Sequence, residues 1–380
     1  MKKGQPDYRQ ADLAIRAYAE NDKAHSKRLL AALKEKLKGP ITWAPDSALN
    51  TASWSILRYT EGLSQSRVDG VVPEAMEGAV VTDPLVIPIE IDASSEDLAI
   101  QRLSGVLDSE FKTLKFNRLG LAAEQRGKVW RLTCLISLRR LEITTPIPEV
   151  AEQGSLHIRA KTLQFARTAE ILVLHPDGQV RSNHVQVSAG YIDTFVTLKG
   201  IGKHKVEIIL IDDPRRPQPP AALFTIQVGQ GLRKISQNET PRFRLLPFRK
   251  HQEPVHIYLN SVRNWTDNLR QQNGLPNLSP SGRLDSVAQR HAEDLAERRT
   301  LSHLDRIGRN PRQRIERGGI SVRSSGENVA AGLTIEAIKS SLENSPSHRR
   351  GMLRHDIDDL GVGVAQKDGV LFVVQLFASE

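Results

Sequence analysis

Apolar residues fall at helical spacing near both ends of the chain and alternate at strand spacing in its middle. In Asp7–Leu37 few breakers intervene, and Leu29, Leu30, Leu33 and Leu37 trace one face, which predicts a helix. Ser47–Gly62 reads as a second helix. Ser94–Leu107 reads as a third, with Ser94 or Ser95 as its cap and Leu98, Ile100, Leu103 and Leu107 as its apolar positions. Val68–Ile91, punctuated by proline and glycine, predicts irregular chain. Arg118–Ala123 and Lys128–Leu138 predict strands joined by a glycine-containing turn. Helices first and strands afterwards predict an α+β domain.

From Pro146 to Gly229 the pattern changes. "SLHIRAK", "AEILVLHPDG", "YIDTFVTL", "HKVEIILID" and "ALFTIQVG" are short β-rich runs between turn residues, the pattern of a small all-β, immunoglobulin-like sandwich. Turn chemistry in "HPDG" makes His175 a loop residue. From Val255 the helical spacing returns, in Ile257–Gln271 and in Asp285–Thr300. The chain closes on "LGVGVAQKDGVLFVVQLF", two strands around Asp368-Gly369. The expected division is an α+β domain over 1–145, a sandwich over 146–231, a linker over 232–254 and a second α+β domain over 255–380.

The two outer regions echo each other. "RLGLAAEQRGKVWRLTCLI" (Arg118–Ile136) lies over "DLGVGVAQKDGVLFVVQLF" (Asp359–Phe377) without a gap, and "APDSALNTA" (Ala44–Ala52) over "SPSGRLDSV" (Ser279–Val287). Two matches in one order indicate a duplication. Only the second copy carries His303, Glu327 and His348. Ser94–Phe116 has no histidine, and Val68–Ile91 has no Gly-Glu-Asn, so the first copy reads as a degenerate scaffold.

Composition alters this picture little: 39% hydrophobic and 26% charged residues over 380 positions suit a soluble multidomain chain. No apolar run is long enough to cross a bilayer, and "PLVIPIEI" (Pro84–Ile91) is short and broken by proline. The opening "MKKGQPDYRQ" has no apolar signal region, so the expectation is either no export or a signal already trimmed. A single Cys134, inside an apolar run, excludes an internal disulfide framework and reads as a buried small residue. The net charge of +9 is concentrated in Leu232–Pro254, which holds six basic and two acidic residues. Such a linker could lie on an anionic surface or polymer. Aromatics are only 5% of the chain, too few for stacking platforms, which disfavours nucleic acid.

The candidate chemistry is an ordered set near the C-terminus: Ser-His (His303), Pro-x-x-Arg (Pro311–Arg314), Gly-Glu-Asn (Glu327, Asn328), Ser-Pro-x-His-Arg (Ser345–Arg349) and Gly-Val-Gly. Ser345 can cap a helix whose first turn holds Pro346 and His348. This set resembles the CAP superfamily of cysteine-rich secretory, antigen-five and pathogenesis-related proteins, in its cysteine-poor bacterial branch, over Ile257–Glu380. The resemblance implies an α-β-α sandwich with a cleft lined by two histidines and two acids. It carries over to His303, Glu327 and His348. Where it expects a tryptophan and the second acid, this chain has Leu342 and Ser345, so three groups remain and the cleft wall is altered. Glu343 is near in sequence but would point in another direction.

Two imidazoles and a carboxylate can hold Zn²⁺ or another divalent ion with a position open, His303 and His348 being the candidate metal ligands. Alternatively Glu327 orients a metal-bound water. The spacings of 24 and 21 residues match no local metal motif, so only folding can assemble such a site. Around it, Arg314 and Arg349 are expected to pair with an acid or a carbonyl, Asn328 to bond backbone, and His291 to be a satisfied core histidine. Ser302, Ser325 and Ser345 stand beside candidate residues, yet the pattern is not that of a serine hydrolase, and no phosphate-loop, dinucleotide or zinc-finger spacing occurs. The resemblance implies a secreted, periplasmic or envelope protein. Its cleft would hold a lipid, peptide or cell-wall ligand, optionally with a metal. The alternative is a metal-dependent hydrolase, a peptidase or nuclease, in the same cleft.

Overall fold

The structure, a computed structural model, describes residues 20–39, 41–59, 75–77, 79–109, 116–148, 150–213, 218–229, 255–332, 334–367 and 370–380. The basic linker, residues 232–254, and the Asp368-Gly369 turn therefore lie outside the described residues, as do the first residues of the expected Asp7–Leu37 helix.

The chain begins with α1 (Glu20–Lys36), β1 (Ala44–Pro45), α2 (Ser47–Tyr59), β2 (Val86–Ala93), α3 (Glu96–Ser109), β3 (Arg118–Arg126) and β4 (Val129–Ser137). Ser95 is the expected cap of α3, its Oγ accepting the Leu98 N–H at 3.2 Å. The strands form one sheet in the order β1-β3-β4-β2. β1 runs parallel to β3, and the other pairs are antiparallel. The end of the stretch expected to be irregular is thus the strand β2. Its Pro88 is tolerated because β2 is an edge strand, where a missing N–H breaks no second ladder. α1 and α3 pack Leu29, Leu33, Ile100 and Leu103 on one face of the sheet; α2 packs Leu49, Ala52 and Ile56 on the other. Cys134 is fully buried in this core.

The middle of the chain is β5 (Leu141–Ile143), β6 (Val150–Ala151), β7 (Gly154–Thr162), β8 (Thr168–Leu174), β9 (Val180–Gln186), β10 (Tyr191–Leu198), β11 (Gly202–Ile211) and β12 (Pro220–Val228). They form two sheets, β10-β7-β5 and β6-β12-β11-β8-β9. Alternating residues such as Ile158, Ile192 and Val196 meet Ile171, Val206 and Ile208 in the core between them. β5 begins ahead of Pro146, so the sandwich draws a short strand from the preceding segment. A hydrogen bond from the Leu223 N–H to the Thr82 carbonyl, 2.8 Å, joins sandwich and first sheet.

The remainder is α4 (Val255–Gln272), β13 (Ser279–Pro280), α5 (Gly282–Arg298), α6 (Pro311–Arg317), β14 (Ser324–Gly332), α7 (Ile335–Asn344), α8 (Pro346–Met352), β15 (Asp359–Lys367) and β16 (Val370–Ser379). Sheet order is β13-β15-β16-β14. Alternation along β16 feeds two cores. Leu371, Val373 and Phe377 meet α4 and α7, while Val374, Leu376 and Ala378 meet α5. The result is the three-layer α-β-α arrangement.

The two outer units match in register as well as order. Ala44 pairs with Arg118 as Ser279 pairs with Asp359, and Arg118 pairs with Ser137 as Asp359 pairs with Ala378. In each, the second helix crosses the sheet at a glycine. A Cβ on Gly120 would lie 2.2 Å from the Leu49 carbonyl carbon, and one on Gly361 would lie 2.5 Å from that of Leu284. In each, the next helix residue accepts a strand N–H: Asn50 Oδ1 from Leu121 and Asp285 Oδ1 from Val362, both at 2.8 Å.

Candidate functional site

α5 starts at Ser281, whose Oγ accepts the Leu284 N–H, and ends at Arg299 in the left-handed region. The loop beyond it carries His303. α6 follows, closed by a capping box between Asn310 and Gln313 with Pro311 in its first turn, and it presents Arg314 inward. β14 supplies Glu327 and Asn328 from adjacent positions. α8 supplies His348.

His303 and Arg314 converge on Glu327, whose side chain has no exposure. The His303 Nδ1–H donates to Oε1 at 2.9 Å, and Arg314 Nη2 donates to Oε2. Arg314 Nη1 also donates to the carbonyls of His303 and Arg309, 2.8 Å each, so one guanidinium fixes both the carboxylate and the backbone of the histidine. Burial alone would raise the Glu327 pKa. The His303 hydrogen bond and the Arg314 charge outweigh it and hold the carboxyl below its ordinary value.

His348 is partly buried, and its Nδ1 is buried without a partner. Burial, with the charge of His303 added, pushes its pKa down to about 4, so the imidazole is neutral at physiological pH. Its backbone carbonyl accepts the Asn328 Nδ2 at 3.1 Å. Asn328 also donates to Gln375 Oε1 at 3.0 Å, and Gln375 Nε2 donates to Thr266 Oγ1 at 2.8 Å. A buried polar chain thus runs from α4 through β16 and β14 to α8.

Each candidate residue has a place. His303, Glu327 and Arg314 form one hydrogen-bonded cluster; Asn328 holds the His348 backbone, and the His348 imidazole feels the charge of His303. Arg349 turns outward to the sandwich, where its Nε donates to the Gly178 carbonyl at 2.9 Å; its Nη1 is 3.4 Å from Glu343. Ser345 departs from the expectation. It stands at the N-cap position of α8, but its side chain accepts no helix N–H; its hydroxyl donates to Glu207 at 2.9 Å. His291, expected to be a satisfied core residue, donates from Nε2 to the Ser302 carbonyl at 2.9 Å and lies 3.9 Å from Glu327, while its Nδ1 has no partner. His175 is not an ordinary loop residue. It is buried, accepts the Lys199 N–H and stands edge-on to His204 with ring centroids 5.1 Å apart.

Sequence reasoning missed Glu207, Arg270 and the polar chain. A glutamine inside the apolar run "VVQLF" is a readable sign of a buried polar partner. Glu207 and Arg270 leave no such sign, because the groups they bind in and beside α8 are more than 80 residues away.

The candidate metal ligands are the imidazoles of His303 and His348. Both Glu327 oxygens are engaged, and among the described residues no group of three or more His, Cys, Asp or Glu side chains is arranged to hold an ion.

Known proteins bear on the same segment. The family model for the cysteine-rich secretory protein family (CAP) matches residues 258–377. An uncharacterised protein of Borreliella burgdorferi is 32% identical over 93 residues, 24% of this chain and 59% of its own. Among solved structures, an outer surface protein from Borrelia burgdorferi is 27% identical, covering 34% of this chain and 98% of its own, with a TM-score of 0.32. An extracellular protein containing an SCP domain from Bacillus anthracis is 19% identical, covering 49% and 67%, with a TM-score of 0.31. The chain spans between 31% and 59% of the length of the curated relatives it matches. Among the described residues no helix is long and apolar enough to cross a membrane.

Proposed function

Residues 258–377 being a domain of the cysteine-rich secretory protein family, we propose that the chain is a secreted or envelope-associated binding protein whose cleft between His303 and His348 holds a polar group of a lipid, peptide or cell-wall ligand. The observation that carries this reading is the commitment of Glu327. With one oxygen on His303 and the other on Arg314, the carboxylate is a buried support and not a reacting group. In this reading the two imidazoles line the cleft: His303 oriented by its carboxylate, and His348 neutral and able to accept or donate a hydrogen bond. A divalent ion, in this reading, would take the two imidazoles and solvent.

The shared register of the two outer units supports a duplication in which the first copy is a scaffold. Opposite Leu376 stands Glu327, and opposite the corresponding Leu135 stands Pro88; Asn328 and Gln375 correspond to Ile89 and Cys134. The polar groups of the cleft thus have apolar counterparts. The basic linker fits an anionic surface, and a location outside the cytoplasm belongs to the same reading, similar proteins being described as outer-surface and extracellular.

The test is calorimetric titration of the full chain with anionic lipid vesicles, peptidoglycan fragments, a peptide panel and Zn²⁺, each repeated on His303→Ala with His348→Ala. Saturable binding without turnover, lost in the double variant, is the expected result. Metal-dependent turnover lost in the same variant would replace the binding reading with the hydrolase. Zn²⁺ binding unaffected by the substitutions would remove the metal from this site.

A further inference from the structure

Helix α8 has seven residues, too few to hold itself in water, yet it carries His348. Its C-terminal end is fixed from within its own unit: Arg270, only 1% exposed, donates from Nη1 to the carbonyls of Met352 and Arg354 at 2.8 Å each. Its N-terminal end is fixed from another sheet. Glu207, on β11 of the sandwich, has no exposure although it points outward from the sandwich core, between Val206 and Ile208, which point inward. Its carboxylate accepts three hydrogen bonds: from the Ser345 hydroxyl at 2.9 Å, the Ser347 N–H at 3.1 Å and the Ser347 hydroxyl at 2.5 Å. It therefore takes the role of the N-cap acceptor that Ser345 leaves vacant, with an anion at the positive end of the helix.

The neighbouring residues seat the same turn. Arg350 makes a two-toothed pair with Glu170 of β8. Arg349 donates to the Gly178 carbonyl, and Gly178, at φ +82°, admits it because a Cβ there would lie 2.8 Å from Nη2. Ser345, Ser347, Arg349 and Arg350 thus face the sandwich, while the imidazole between them feels the charge of His303 across the cleft.

We propose that Glu207 is a positioning residue for the cleft: the β-sandwich, through this carboxylate, sets the first turn of α8 and with it the His348 wall. The inference rests on the reading of the cleft as a binding site. Its test is independent of any ligand, so failure to bind vesicles or peptidoglycan fragments would count against that reading alone.

The test uses the full chain with Glu207→Ala, Glu207→Gln and Ser347→Ala. Amide hydrogen exchange is compared between Ser347–Met352 and α5, and carbethoxylation of His348 is compared with that of His303 by mass spectrometry. For Glu207→Ala, exchange in α8 rises at least about tenfold while α5 is unchanged, because several charge-assisted hydrogen bonds to one turn are lost. His348 reactivity rises relative to His303. Glu207→Gln, which keeps an acceptor but loses the charge, lies between Glu207→Ala and the wild type. Unchanged α8 exchange and His348 reactivity would overturn the proposal, as would a uniform rise over the whole C-terminal unit. If Glu207→Ala does not fold, the same comparison on Glu207→Gln and Ser347→Ala decides.

Discussion

Glu327 Oε1 and His303 Nδ1 stand 2.9 Å apart, and this contact ties β14, an edge strand of the C-terminal sheet, to the loop beyond α5. The other carboxylate oxygen neutralises Arg314, which is 7% exposed. Glu327→Gln would leave that guanidinium buried among carbonyls with no anion. The expected cost is about 3–5 kcal/mol, the penalty for breaking a buried ion pair by removing one partner. His303→Ala, which leaves the Arg314 pair in place, should cost less. Urea unfolding of both variants checks the order; a smaller loss for Glu327→Gln than for His303→Ala would contradict the arrangement.

Acid sensitivity should begin in the histidine range. The folded-state pKa of His348 is depressed to about 4 from an ordinary 6.5, so unfolding at pH between those values takes up a proton. Stability from this group is complete above about 6.5 and is lost as pH falls towards 4, at up to about 1.4 kcal/mol per pH unit for each proton. His291, lowered by burial, acts with the same sign. So does Glu327, held below its ordinary value, at lower pH. Glu207 has the opposite sign, because burial raises it, and it offsets part of the loss below neutrality. Denaturant midpoints from pH 7.5 to 4.5 should fall for the wild type and fall less steeply for His348→Gln. Equal slopes would show that His348 is not held neutral by the fold.

The chain Thr266–Gln375–Asn328 should behave as one unit. Asn328→Ala leaves Gln375 Oε1 and the His348 carbonyl without that donor, at a cost of about 1–3 kcal/mol. Gln375→Ala strips Asn328 and Thr266 in the same way. The double variant should cost less than the two single costs together, because each first change already breaks the shared bond. Full additivity, measured in a double-mutant cycle by urea unfolding, would mean that the two side chains do not depend on each other.

Much of this was legible in the sequence because it depends on local order. The helices over Ser47, Ser94 and Ile257 onward, the sandwich strands and the closing hairpin follow from spacing and turn residues, and the gapless overlay of Arg118 on Asp359 reappears as identical strand register. β2 was not legible. Proline within a run argues against a strand until the strand is known to lie at an edge, which is a property of the sheet. Ser345 was misread for a similar reason. Its position predicts a cap, but a carboxylate 138 residues away competes for its hydroxyl, and nothing near Ser345 announces Glu207. The pairing of His303 with Glu327 was to be expected from the family resemblance and not from their spacing.

The strictest test of the relation between the two outer units is a pair of glycines. A Cβ at Gly120 or Gly361 would meet the backbone of the crossing helix, at 2.2 Å from Leu49 and 2.5 Å from Leu284. Backbone cannot swing aside as a flexible side-chain tip can, so helix and strand must separate. Gly120→Ala and Gly361→Ala should each cost about 3 kcal/mol or more, at the upper end of overpacking effects. Each should also open its own unit first, since the contact ties one helix to one sheet. Limited proteolysis with mass-spectrometric mapping would find new cuts in the first unit for Gly120→Ala and in the last for Gly361→Ala. If either alanine were accommodated without loss of stability, the helix would not sit on its strand at that distance. The matched glycines would then be a coincidence of sequence and not the mark of one repeated packing solution.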